Sequence, residues 1–131
     1  MQKFEKWKEE LELFDDMERL EFLIDLAKRE TSLPKELRIQ ENLVTGCISQ
    51  IWVATGLQNN CVKVYYDSDA LITKGITHII CDCFSDLSLE EAKTLRKSDF
   101  ETLGIQEVLT AQRRNGLSSL IETIINKIAS L

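Results

Sequence analysis

NLVTGCISQIWVATGLQNNCVKVYY, residues 42–66, is the stretch on which the fold turns. Three short strands can be read in it: Leu43-Val44, residues 49–55 alternating around Ile51 and Val53, and residues 61–66, where Val62 and Val64 alternate with Lys63 and Tyr65. Residues 56–60, Gly-Leu-Gln-Asn-Asn, supply turn residues between the second and third, so the three form a small antiparallel sheet. Between the first and second lies Thr45-Gly46-Cys47. Glycine admits backbone conformations closed to other residues, so Gly46 can bend the chain and leave the Cys47 thiol at a tip that another molecule can reach.

Outward from this stretch the period becomes helical. Phe4, Trp7, Leu11 and Phe14 recur at spacings of three and four, which predicts an amphipathic helix. Asp15 and Asp16 can cap a second helix, where Met17, Leu20, Leu23 and Ile24 share a face as far as about residue 28. The two are expected to pack as a hairpin over residues 3–28, ended by Thr31-Ser32-Leu33-Pro34. On the other side, Asp67 or Ser68 is expected to cap a helix reaching about residue 84, with Ala70, Leu71, Ile72, Ile76, Ile79 and Ile80 against the sheet. Ser88 opens a short helix, residues 98–103 form another turn or two ended by Gly104, and residues 109–116 read as a polar, irregular loop. A last helix carries Leu117, Leu120, Ile121, Ile124, Ile125 and Ile128 along its inner face. Helices, a sheet over 42–67, then helices over 69–130 predict a single α+β domain, residues 1–131, with a three-stranded antiparallel sheet covered by helices.

Composition narrows the function. The 131 residues, 44% hydrophobic and 29% charged, suit one compact core. A net charge of −6 opposes a long contact with nucleic-acid phosphates, which needs a basic stripe. No apolar run approaches the ~20 residues of a membrane-spanning helix, and residues 1–14 lack the pattern of a secretory signal. A cytoplasmic protein is expected, with Cys47, Cys61, Cys81 and Cys83 all free thiols.

Several residues carry possible chemistry. Cys47 is either a small buried hydrophobe or a working thiol, and a thiol with a pKa of about 8.5 attacks only as thiolate. Donors that could favour the thiolate are the helix start near Asp69 and the Arg113 guanidinium. His78 is the only histidine and would have to orient next to Cys47 for a Cys-His hydrolase. His78, Cys81 and Cys83, completed by Cys47 or Cys61, suggest zinc, but on a helix Cys83 points about 200° away from Cys81. Asp67 and Asp69 could serve acid-base chemistry or magnesium, although helix capping accounts for them more simply.

Gly46-Cys47-Ile48-Ser49-Gln50-Ile51-Trp52 resembles the Gly-Cys-x-Ser-Gln-Val-Trp signature of the SufE family, the sulfur-acceptor proteins of iron-sulfur cluster assembly. Further landmarks follow in the family's order: Asp67-Ser68-Asp69-Ala70, then Lys74-Gly75, then Leu109-Thr110 with Arg113, Gly116 and Leu117. The likeness runs from about residue 17 to the end, and departs where Ala111 and Gln112 replace the family's usual proline and serine.

The resemblance implies a fold similar to the IscU-type cluster scaffolds and a role as accessory to a SufS-like cysteine desulfurase rather than as an independent enzyme. Cys47 would take a persulfide sulfur, stimulate the desulfurase and pass the sulfur to a SufB-like iron-sulfur scaffold. Gly46 would let the loop move, Ser49 and Gln50 would hold its base, and Trp52 would anchor it. Asp69, Lys74, Arg113 and Gly116 would support the loop or the docking face. Pyridoxal phosphate would belong to the desulfurase, so no cofactor or metal is expected here, and a monomer or weak homodimer is expected. Two other readings are a regulatory module that docks on a desulfurase without taking sulfur, and a zinc-binding scaffold. The scaffold reading is weakened because Tyr66-Asp67-Ser68-Asp69 lacks the cysteine that such scaffolds use.

Overall fold

The computed structural model describes residues 2–28, 33–46 and 49–131, so Cys47 and Ile48 lie outside the described residues, as do Thr31 and Ser32. It has helices α1 (Gln2–Glu12) and α2 (Asp16–Ala27), strands β1 (Ile51–Gln58) and β2 (Cys61–Ser68), and helices α3 (Leu71–Phe84), α4 (Leu89–Thr94), α5 (Lys97–Glu101) and α6 (Ala111–Ala129). Short 3-10 turns occupy Lys35–Leu37, Gln40–Asn42 and Ile105–Val108.

The α+β class holds. Among the described residues the sheet has two strands, and the third strand expected at Leu43-Val44 amounts to one isolated bridge from Leu43 to Trp52. A 3-10 turn ends at Asn42 and the Gly46 bend follows, which leaves no length for a ladder. β1 and β2 are antiparallel, with Gln58 opposite Cys61 and Ile51 opposite Ser68. The turn between them is therefore Asn59-Asn60 alone, with φ of 53° and 63°. Asparagine tolerates this left-handed conformation, and a two-residue turn of that hand matches the twist of a hairpin. Gly56, expected in the turn, lies within β1.

Alternation along the hairpin buries Ile51, Val53, Val62, Val64 and Tyr66 on one face. α3 lies on β2, α6 lies on β1, and the two helices touch each other. The buried positions of α3 include Ile76, Ile79, Ile80 and Phe84, whereas Leu71, expected inside, is 56% exposed at its first turn. α1 and α2 both rest on α3, and Trp7 and Phe22 bring them together with ring centroids 6.0 Å apart. Asp15 caps α2 through a reciprocal box: its carboxylate accepts from the Glu18 amide at 2.9 Å while the Glu18 side chain accepts from the Asp15 amide at 3.0 Å. Met17, expected on the inner face of α2, is exposed, because the face that meets α3 runs through Leu23, Leu26 and Ala27.

Gly75 explains how close α2 and α3 come. A Cβ at Gly75 would stand 2.0 Å from the Leu23 carbonyl oxygen, so only glycine permits this approach. Ser88 caps α4 as expected, and Gly104, at φ 74°, ends the turn that follows α5. Phe100 of α5 stacks on Phe84 at 5.2 Å and meets Phe4 edge-on at 5.5 Å, closing the core at that end.

Candidate functional site

The hairpin register brings Ile51 and Trp52 beside Ser68 and Asp67 at the end remote from the Asn59-Asn60 turn. Two segments meet this end: the chain leading to Gly46, and the first turn of α3. Gly46 has φ 84°, as a bend before Cys47 requires, and a Cβ there would stand 2.7 Å from the Ser119 hydroxyl of α6. Gly46 thus lies against α6, while Gln50 and Ile51 lie at the open end of the hairpin beside the approach to α3.

Gln50 is held by its backbone. Its carbonyl accepts from the Ser68 hydroxyl at 2.9 Å and from the Asp69 amide at 3.2 Å, while its amide donates to the Asp69 carboxylate at 3.0 Å. These bonds fix the base of the loop, and they use the main chain of Gln50 rather than its exposed side chain. Asp69 therefore works as a tie to Gln50, while Asp67 and Ser68 do not cap α3 by side chains as expected. Helix α3 begins after Ala70, with no side-chain cap. Asp67, only 3% exposed, instead forms ion pairs with Arg38 and, at 3.9 Å, with Lys74. Lys74 is thus partly engaged beneath the surface.

Beside the loop lies a cavity of about 160 Å³, lined by Ser49, Thr73, Arg113 and Gly116 together with apolar walls from Ile51, Ile76, Leu117 and Leu120. Residues 109–116 are not the irregular loop expected from the sequence. The Thr110 hydroxyl accepts from the Arg113 amide at 3.3 Å and caps α6, so Arg113 sits in its first turn and Gly116 is buried within the helix. The polar run reads as a loop because this turn faces solvent, yet Ala, Gln and Arg are good helix formers. The Arg113 guanidinium makes no ion pair or hydrogen bond among the described residues, which leaves a cation at the mouth of the cavity.

The other candidate groups are elsewhere. His78 Nδ1 lies 2.6 Å from the Tyr66 hydroxyl, and its ring packs edge-on against Trp7 at 5.9 Å. Cys81 and Cys83 are buried in α3; desolvation, aided by each other or by Asp82, raises the Cys81 thiol and pushes Cys83 up to about 12. Both stay protonated and unreactive at neutral pH. Among the described residues no three of His, Cys, Asp and Glu gather as metal ligands. Cys61 is half-buried at the start of β2, where a bridge to Ser88 occupies the strand's free edge.

Sequence reasoning missed Arg38, Thr73 and Ser119. Arg38 stands between Leu37 and Ile39 in a non-periodic segment, and nothing in its neighbours signals a partner 29 positions away in Asp67. Thr73 precedes the Lys74-Gly75 landmark, and three residues on is Ile76, which shares the cavity wall; helical spacing could have found it.

A left-handed bend at Gly46, a main-chain-clamped Gln50 and a small cavity with Arg113 among its lining residues gather at one end of the hairpin of this α+β domain. The chain matches the SufE family, described as an Fe-S metabolism associated domain, over residues 5–128, and it belongs to that family. It is 35% identical over 116 residues to an uncharacterized SufE-like protein of Rhizobium etli, covering 84% of this chain and 78% of the relative. The solution structure of a hypothetical protein from Thermus thermophilus superposes with a TM-score of 0.82 at 16% identity, covering 98% of this chain and 94% of the other, which shows a shared fold. Association with iron-sulfur metabolism follows from the family. No helix among the described residues is long and apolar enough to cross a membrane.

Proposed function

We propose that this protein is a sulfur acceptor and carrier for a pyridoxal-phosphate cysteine desulfurase, with Cys47 as the carrying residue. The observation that carries the reading is the Gly46 bend, at φ 84°, placed immediately before Cys47 and packed against α6 beside the Arg113 cavity. The Cys47 thiolate attacks the outer sulfur of a persulfide on the desulfurase. A new S–S bond forms on Cys47, the donor S–S bond breaks, and the donor cysteine leaves as thiolate while the proton stays on the transferred sulfur. No external oxidant or reductant is needed. A second exchange hands the sulfur to an iron-sulfur scaffold.

In this reading the cavity walls of Ile51, Ile76, Leu117 and Leu120 shelter the terminal sulfur from small thiols. Arg113 offers its charge to the thiolate or persulfide anion, and a lone cation beside a thiol lowers its pKa. Ser49 and the clamped Gln50 hold the loop base, Gly116 supports the loop from the cavity wall, and Asp69 and Lys74 shape the surface that meets the desulfurase. Pyridoxal phosphate stays with the partner.

The test is Cys47→Ser. The variant should keep the fold but lose stimulation of sulfide release by a SufS-like desulfurase. The parent, incubated with desulfurase and cysteine, should gain a one-sulfur adduct on Cys47 that reductant removes. Stimulation undiminished in the serine form would defeat the carrier reading in favour of a non-covalent regulatory module.

A further inference from the structure

Both sides of the segment that carries Cys47 are tied to one short turn, Asp67-Ser68-Asp69. On the C-terminal side, Ser68 and Asp69 hold the main chain of Gln50 through the three bonds described above. On the N-terminal side the tie is a side chain. The Arg38 guanidinium pairs with Asp67 and lies over the Trp52 ring, 5.7 Å from its centroid. From there the chain meets β1 again before Gly46 at the Leu43 bridge to Trp52, where the Val44 amide donates to the Ile51 carbonyl at 2.8 Å.

Asp67 is what makes Arg38 necessary. A carboxylate only 3% exposed loses most of its hydration and must be compensated by cations and donors. The Ser68 amide at 2.8 Å and Lys74 at 3.9 Å serve Oδ1, and Arg38 serves Oδ2. Arginine suits the place better than lysine, because a planar guanidinium can pair with a carboxylate and lie flat on an indole at once. Trp52 and Asp67 are opposite each other in the hairpin, so one guanidinium meets both strands one register pair in from its open end.

We infer that Arg38 is a positioning residue for the sulfur transfer proposed above: through Asp67 and Trp52 it seats residues 38–46 on β1 and so sets the approach of the chain to the Gly46 bend. Its functional meaning rests on the carrier reading; its physical part rests on the geometry of described residues alone. The turn Asp67-Ser68-Asp69 thereby holds both flanks, Asp67 through Arg38 on one side and Ser68 with Asp69 through Gln50 on the other.

The experiment compares the parent with Arg38→Met, Arg38→Lys and Asp67→Asn, and uses Lys97→Met, which breaks the remote ion pair with Glu122, as control. Three quantities are read: amide exchange at Val44, alkylation of Cys47 by iodoacetamide with peptide mapping, and the concentration giving half-maximal desulfurase stimulation. Arg38→Met and Asp67→Asn should exchange the Val44 amide and alkylate Cys47 about tenfold faster, equivalent to about 1.4 kcal/mol, and should raise the half-maximal concentration. Arg38→Lys should recover at least half of that change on a logarithmic scale, and Lys97→Met should match the parent. Parent-like Val44 exchange and alkylation in folded Arg38→Met and Asp67→Asn, or an equal change in Lys97→Met, would overturn the inference. If Arg38→Met does not fold, Asp67→Asn, which keeps the shape of the side chain, carries the comparison. Failure of the carrier reading would show separately, as undiminished stimulation by Cys47→Ser, and would leave the Val44 measurement untouched.

Discussion

Replacing Gly75 by alanine tests how the start of α3 is placed. The added Cβ would lie 2.0 Å from the Leu23 carbonyl oxygen, 2.7 Å from its carbon and 3.0 Å from its Cα, so the obstacle is helix backbone rather than a side chain that can swing aside. α2 would have to retreat by about 1 Å to reach the shortest contact that real Cβ atoms show. Leu23 and Leu26 sit in the core on that helix, and the retreat would loosen their packing. Overpacking of a core costs ~1–3 kcal/mol and occasionally more, whereas glycine to alanine within a helix gains about 1 kcal/mol. A clash with rigid backbone falls at the upper end, for a net loss of about 2–3 kcal/mol. At roughly 3–5 °C per kcal/mol for a domain of this size, the melting temperature should drop by about 6–15 °C. Thermal and urea unfolding followed by far-ultraviolet circular dichroism measure this directly. A melting temperature equal to or above that of the parent would refute the reasoning, since propensity alone would then have decided the outcome.

Two further outcomes follow from the same geometry. Gly46→Ala places a side chain at φ 84° and 2.7 Å from the Ser119 hydroxyl, so it should cost roughly 1–3 kcal/mol and depress desulfurase stimulation; Ser119→Ala in the same chain should restore only part, because it removes the contact but not the backbone strain. Asp86 is held down to about 2 by hydrogen bonds from Lys3 and then Lys63, against 3.8 ordinarily. Its stabilising contribution should be complete above pH 3.8 and fade as pH falls toward 2. The Asp86 side chain is half exposed, so the contribution is under about 1 kcal/mol. Asp86→Asn should flatten the urea midpoint between pH 4 and pH 2, and an unchanged slope there would contradict this.

Local chemistry was readable wherever a residue acts on its own neighbours. The Asp15 box, the Ser88 cap and the glycine bend at 46 depend on side chains and backbone groups within three positions, so the sequence contains the whole interaction. Patterns failed where two local explanations compete. Asp67 and Ser68 have the composition of a helix cap, yet burial beside Trp52 turns the Asp67 carboxylate toward Arg38 and Lys74 and frees Ser68 for Gln50. Residues 109–116 have the polarity of a loop, yet Thr110 starts a helix there. The candidate site shows the same division. Gly46, Ser49, Arg113 and Gly116 were legible from their motifs, while Arg38, Thr73 and Ser119 reach the site only through the pairing of distant elements.

By itself, then, the sequence determined the α+β class, the hairpin and its alternation, the family and the residues of the signature, because periodicity and motif spacing are properties of neighbouring positions. Only the tertiary structure decided that the sheet among the described residues has two strands with Leu43 as a single bridge, that Arg113 stands on a helix turn beside a cavity, and that Asp67 pairs with Arg38 and Lys74. A buried carboxylate takes whichever cations the folded chain brings to it, and that choice is made across tens of residues rather than along a few.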